Sequence, residues 1–216
     1  MKTTVTQFLV AGTVKVITGI RAVWHGCPPA GARPRVYFAN HGSHLDFVAL
    51  WAALDTPQRL RTRPVAARDF WNAAGIRRWI ACSVFRALLI NRTKATREDN
   101  PLHDMRAVLA GGESLILFPE GTRTLTGETA DFKAGLYHLA KAAPEAEFVP
   151  VFLENLNRIL PKGEMLPIPL LTTVVFGTPL SLQPLEARDA YLARARDAVL
   201  GLRHWHRAPE VSADSP

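Results

Sequence analysis

The 216-residue chain reads as an α/β protein with a mixed, largely parallel sheet of about six or seven strands flanked by helices, plus an N-terminal amphipathic helix. Three observations predict this. Short apolar runs alternate with longer segments of helical periodicity, the pattern of strands joined by crossover helices. Runs such as Val36-Tyr37-Phe38-Ala39 are apolar throughout, as strands of a sheet covered on both faces are. Glycine and proline fall at the joints, as at Gly111-Gly112 and Pro119.

The elements follow in order. Val10, Val14, Ile17, Ile20 and Trp24 recur at helical spacing, widened by Val16 and Val23, with Thr4, Lys15 and Thr18 opposite. Lys15 and the glycines interrupt the run, which falls short of the roughly 20 apolar residues of a spanning helix. It also lacks the unbroken core and cleavage site of a signal peptide. Residues 1–26 are therefore expected to form a membrane-associating helix lying on a bilayer; a helix packed on the protein's own core has the same periodicity. Strands are expected near 36–39, 64–67, 87–91, 114–118, 148–152 and 172–177. Helices are expected near 44–54, 69–82, 100–110, 132–142 and 183–203. Ser43 is a candidate N-cap, and Asn100-Pro101 offers a cap followed by proline in the first turn. Gly111-Gly112 is a helix C-terminus. The proline-rich stretch from Leu160 to Pro169 is expected to be a rigid connector rather than a lid. One domain spans 33–205, and 206–216 reads as a flexible tail.

Composition narrows the function classes. Hydrophobic residues make up 48% of the chain, too many for disorder. Cys27 and Cys82 form no spaced pair, which argues against a disulfide framework or a zinc site. His41-x2-His44 lacks a third ligand at a metal-binding spacing, so no metal is expected. The net charge is +7, and residues 58–97 hold ten Arg or Lys against the single acid Asp69. Trp71, Trp79, Ile80 and Phe85 are interleaved with them. A basic surface with aromatic anchors suits an anionic membrane or an anionic co-substrate. No nucleic-acid motif accompanies it, so no nucleic-acid partner is expected.

Two short segments carry the chemistry. Asn40-His41-Gly42-Ser43-His44-Leu45-Asp46 follows the strand at 36–39 and enters a helix. Histidine accepts protons near neutral pH, and a carboxylate on its other nitrogen fixes its orientation. Positions five apart do not face each other on a straight helix. With His41 on the turn and Asp46 on the helix, the two can meet. The second segment, Phe118-Pro119-Glu120-Gly121-Thr122-Arg123, ends the strand at 114–118. It lies at the C-terminal edge of the sheet, where open α/β sheets place ligands. Gly121 permits close backbone approach, and Arg123 offers planar, permanently charged donors suited to phosphate.

In this order, His-x4-Asp and then Phe-Pro-Glu-Gly-Thr-Arg resemble the glycerophospholipid acyltransferases, and among them the bacterial 1-acyl-glycerol-3-phosphate acyltransferases. Leu88-Leu89-Ile90-Asn91-Arg92, Phe132-Lys133-Ala134-Gly135 and Val149-Pro150-Val151 are similar to further blocks of that family. The resemblance spans roughly 36–180. It implies that His41 is the general base and that Asp46 holds it. It also implies that Arg123, helped by Arg92 and Arg68, binds the acceptor's phosphate in the Glu120-Gly121-Thr122 turn, with Glu120 hydrogen-bonding an acceptor hydroxyl. The implied reaction moves an acyl chain from acyl-CoA or acyl-carrier protein to 1-acyl-glycerol-3-phosphate, giving phosphatidic acid, with no bound cofactor. Implied partners are membrane phospholipid and lysophospholipid, and the implied location is the cytoplasmic face of the inner membrane, peripheral or monotopic. Other acceptors (glycerol 3-phosphate, a lyso-amino-acid lipid, a head-group lysophospholipid) stay open, as does a catalytically inactive membrane-binding protein. Ser43 as nucleophile is disfavoured because Gly42-Ser43-His44 lacks the Gly-x-Ser-x-Gly elbow.

Overall fold

In the computed structural model, residues 2–43, 45–68, 76–91, 100–123, 128–154 and 172–207 are described. They form helix α1 (Lys2–Thr18), strands β1 (Arg21–Trp24) and β2 (Arg35–Ala39), helices α2 (Asp46–Ala53) and α3 (Thr56–Leu60), and strand β3 (Thr62–Ala67). A helical turn α4 (Ile76–Trp79) runs into a π-helical turn at Ile80–Val84, and β4 (Leu88–Ile90) follows. The remaining elements are α5 (Pro101–Ala110), β5 (Ser114–Leu117), α6 (Gly135–Ala142), β6 (Glu147–Leu153), β7 (Thr173–Phe176) and α7 (Arg188–Gly201), which ends in a 3-10 turn over Leu202–Arg207.

The seven strands form one sheet in the order β1-β7-β6-β2-β5-β3-β4. Every neighbouring pair is parallel except β6 and β7. The fold is thus the α/β, mostly parallel architecture expected, with one strand more than the six located in the sequence.

Strand β2 shows how the sheet divides the core. All five of its residues are buried. Side chains alternate across a strand, so Val36 and Phe38 face one layer and Tyr37 and Ala39 the other. The first layer is filled from α5, α6 and α7 by Leu109, Leu136, Leu139 and Tyr191. The second is filled from α2 by Leu50 and Trp51, with Ala11 of α1 against it. Polar loops are confined to the strand ends.

Local signals account for the helix boundaries. Asn100 caps α5, its side chain accepting from Leu102 N at 3.0 Å, with Pro101 in the first turn. Beyond α5, Gly112 takes φ +78°, a left-handed conformation that favours glycine.

Three expectations need correction. The N-terminal helix stops at Thr18; Gly19 follows at φ +52°, and residues 21–24 form the edge strand β1, parallel to β7. The sheet therefore begins at Arg21, ahead of the first strand expected at 36–39, and Val23 and Trp24 belong to a strand. Second, the side of α1 carrying Val10 and Val14 packs against the α2 layer, and Gln7 Nε2 donates to Val84 O at 2.6 Å. Among the described residues, Phe8, Leu9 and Val16, on other sides of the helix, are exposed large apolar side chains. Third, the basic stretch at 58–97 is partly used inside the fold. Arg59 is buried and donates to the carbonyls of Ala52 and Leu54, while Arg63 and Arg86 both pair with Glu113. The connector at 160–169, the first half of the predicted helix at 69–82 (residues 69–75), and the tail from 208 lie outside the described residues. Among those described, no helix is long and apolar enough to cross a membrane.

Candidate active site

Strands β2 and β5 are parallel neighbours, with Phe38 opposite Leu117. The turns that leave them therefore emerge side by side at one edge of the sheet. One turn carries His41, the other Glu120 to Arg123.

His41 and Asp46 meet. The ring Nδ1 of His41 lies 2.7 Å from Asp46 Oδ2, and the same oxygen accepts from Gly42 N at 2.7 Å and Ser43 N at 2.8 Å. Asp46 opens α2 and is 1% exposed. With the carboxylate as acceptor, Nδ1 carries the ring's proton and Nε2 is left as the basic nitrogen. Ser43 plays a different part from the cap expected of it. Leu45 precedes α2, and Ser43 Oγ accepts from Leu45 N at 3.2 Å. Phe118 stacks on the His41 ring at 4.3 Å between centroids, a contact with no signal in motif spacing. Asn40 fastens the turn from behind, its amide exchanging two hydrogen bonds with the Leu153 backbone at 2.8 and 3.0 Å.

Glu120 is 2% exposed and points inward. Its Oε1 accepts from His41 N at 2.7 Å and its Oε2 from Ala130 N at 2.9 Å. The resemblance implied an acceptor-hydroxyl contact for Glu120; in the structure each of its oxygens accepts from a backbone N–H. Gly121, at φ +71°, turns the chain behind Glu120, so that Thr122 and Arg123 face outward and are exposed. Arg68 donates to Leu89 O, in the middle of β4, at 3.3 Å. Arg92 lies outside the described residues.

A cavity of about 540 Å³ opens at this edge. That volume is in the range of small-molecule sites, about 300–1,000 Å³. Much of its wall is apolar, from Phe47, Val65, Phe85, Ile90, Met105 and Leu136. Its polar side chains among the described residues are His41, Asn91, Thr122, Arg123 and Lys133. In the sequence Lys133 stands out only as part of a family block; the fold brings it to the cavity wall. The arrangement brings an imidazole, two cationic side chains and an apolar chamber into one space.

Comparison with known proteins identifies the family. A family model described as Acyltransferase matches residues 19–154, more than half of the chain, and the chain belongs to that family. Among curated relatives, it is 31% identical over 174 residues to a 1-acyl-sn-glycerol-3-phosphate acyltransferase of Chlamydomonas reinhardtii, covering 79% of this chain and 49% of that protein. It is 29% identical over 157 residues to the human 1-acyl-sn-glycerol-3-phosphate acyltransferase alpha, covering 70% of this chain and 52% of that one. The chain thus spans about half the length of these relatives. The crystal structure of the 1-acyl-sn-glycerophosphate (LPA) acyltransferase PlsC of Thermotoga maritima superposes with a TM-score of 0.73, over 95% of this chain and 80% of that one. At 17% identity, that likeness bears on the fold.

Proposed function

We propose that this chain is an O-acyltransferase that moves an acyl group from a thioester, acyl-CoA or acyl-carrier protein, to the free hydroxyl of 1-acyl-glycerol-3-phosphate. The product is phosphatidic acid for phospholipid biosynthesis. The observation that carries the reading is the His41–Asp46 pair, set beside Arg123 on the wall of a largely apolar cavity.

The chemistry follows from the geometry. His41 Nε2 takes the proton of the acceptor hydroxyl as its oxygen attacks the thioester carbonyl. Asp46 stabilises the imidazolium that forms. The tetrahedral intermediate collapses with cleavage of the C–S bond, and the departing thiolate takes the proton back from His41. The transfer is direct and needs no acyl-enzyme. Arg123 holds the phosphate, and the apolar wall accommodates acyl chain. Glu120 acts through His41 by bonding its backbone.

A bilayer supplies the acceptor in this reading. Phe8, at 65% exposure, and Val16, at 84%, make α1 apolar on its outward side as well as its packed side, and Trp79 is also exposed. A helix apolar on both sides suits a protein seated on lipid. The test is a thioester-release assay with lysophosphatidic acid, offering acyl-CoA and acyl-carrier protein separately. Release dependent on the acceptor supports the reading. No release with either donor sinks it and favours an inactive membrane-binding protein.

A further inference from the structure

The flexible end of the Lys133 side chain lies against Gly121, in space that a Cβ there would share. A Cβ on Gly121 would lie 2.8 Å from Lys133 Nζ, 2.9 Å from Cε and 3.0 Å from Cδ. The lysine side chain therefore runs across the outside of the Gly121 turn. Its base is anchored on both sides. Lys133 N donates to Pro119 O at 2.9 Å, and Phe132 is buried with its ring edge-on to Phe38. The side chain lines the same cavity as His41, Thr122 and Arg123. No carboxylate among the described residues pairs with its ammonium. Lys133 also lies just ahead of α6, which begins at Gly135, and a cation there is opposed by the helix dipole. Helix stability thus gives no reason for the charge.

We propose that Lys133 is a second phosphate-binding group. Together with Arg123 it selects an acceptor bearing a phosphomonoester over one whose phosphate carries a head group. The inference rests on the acyl-transfer reading and adds to it a residue that discriminates among acceptors. A phosphomonoester carries about −1.5 to −2 charge at pH 7 and three strong acceptor oxygens. A phosphodiester carries one charge and two free oxygens. Arg123 offers a planar fork for two oxygens, and Lys133 a point charge for the third. The Gly121 turn between them forms the floor of this cradle.

The experiment compares wild type, Lys133→Met and Lys133→Arg with lysophosphatidic acid and with lysophosphatidylethanolamine, using one acyl thioester. Methionine keeps an unbranched stem over Gly121 and deletes the charge, and a thermal melt of each variant checks folding. Wild type should prefer lysophosphatidic acid. Lys133→Met should raise its KM about tenfold or more, the scale of one charge-assisted hydrogen bond. The KM of the thioester and kcat should stay within about threefold, and Lys133→Arg should restore most of the loss. Wild type using both acceptors equally, or Lys133→Met with an unchanged KM for lysophosphatidic acid, overturns the inference and leaves acyl transfer standing. Wild type inactive on both acceptors overturns the acyl-transfer reading, and this inference with it.

Discussion

The Glu120 carboxylate holds the backbone of His41: Oε1 accepts from His41 N at 2.7 Å across 79 residues of sequence. Its second oxygen accepts from Ala130 N at 2.9 Å. One buried side chain therefore ties the turn after β2 to the turn after β5 and to the segment leading to α6. Glu120→Gln puts an amide N–H against one of two backbone donors. It should cost about 1–3 kcal/mol of stability, the scale of a buried donor left unpaired. With His41 loosened, kcat should fall at least about tenfold while the acceptor KM changes little. Thermal melts and steady-state kinetics check both. An acceptor KM that rises alone would return Glu120 to direct substrate contact.

Asp46→Asn should keep the turn folded, because the asparagine carbonyl can still accept from Gly42 N and Ser43 N. It removes the carboxylate that stabilises the imidazolium, and kcat should fall on the order of 10³-fold or more. His41→Ala should fall on the order of 10²–10⁴-fold. The double variant should be little worse than His41→Ala, since Asp46 acts through His41. Additive losses would separate the two residues.

Gly121→Ala adds a Cβ at φ +71° and drives it into the Lys133 stem. The backbone strain alone costs about 1–2 kcal/mol. Displacing Lys133 should also raise the acceptor KM, as Arg123→Ala should. A Gly121→Ala enzyme with wild-type KM and melting temperature would contradict this packing.

Tyr191 is fully buried, and its hydroxyl has no hydrogen-bond partner among the described residues. Burial pushes its phenol well above the ordinary tyrosine value. A folded-state value raised above the unfolded one, about 10, gives stability that is complete below pH 10 and lost as pH rises beyond it. Tyr191→Phe should therefore be neutral or up to about 1 kcal/mol stabilising at pH 7. Its advantage over wild type should widen above pH 10. Paired melts at pH 7 and 10.5 read this, and a gap that narrows at high pH would refute it.

Phe8→Ser and Val16→Ser alter exposed positions on α1 and should leave the melting temperature within about 1 °C. If this side meets lipid, each should weaken sedimentation with anionic vesicles about tenfold, the scale of burying one apolar side chain. Unchanged sedimentation would mean that α1 serves the core alone.

Much of this was legible in local sequence, and the failures share a cause. Six strands were found because buried strands read as uninterrupted apolar runs. Strand β1 was missed because Ile20, Val23 and Trp24 also fit a helical period, and four residues cannot distinguish the two. Gly19 after Thr18 was the available signal, a glycine at a helix end. The His41–Asp46 contact was readable because His41 lies on the turn that enters the helix Asp46 opens. The Glu120–His41 bond was not, since it needs two strands to be neighbours before their end turns can touch. Lys133 was hidden for the same reason, twelve residues from the Gly121 turn it crosses.

The sequence by itself determined the class of fold, the two motif turns and the residue types capable of base and anion chemistry, because these depend on periodicity and local chain geometry. Only the tertiary structure decided where the side chains point. It turned Glu120 inward, placed Val10 and Val14 against the protein's own core, and carried Lys133 into the cavity. The parallel pairing of β2 with β5 brings distant turns to one edge, and the partner that replaces water for the buried Glu120 carboxylate, the backbone of His41, is supplied only by that pairing.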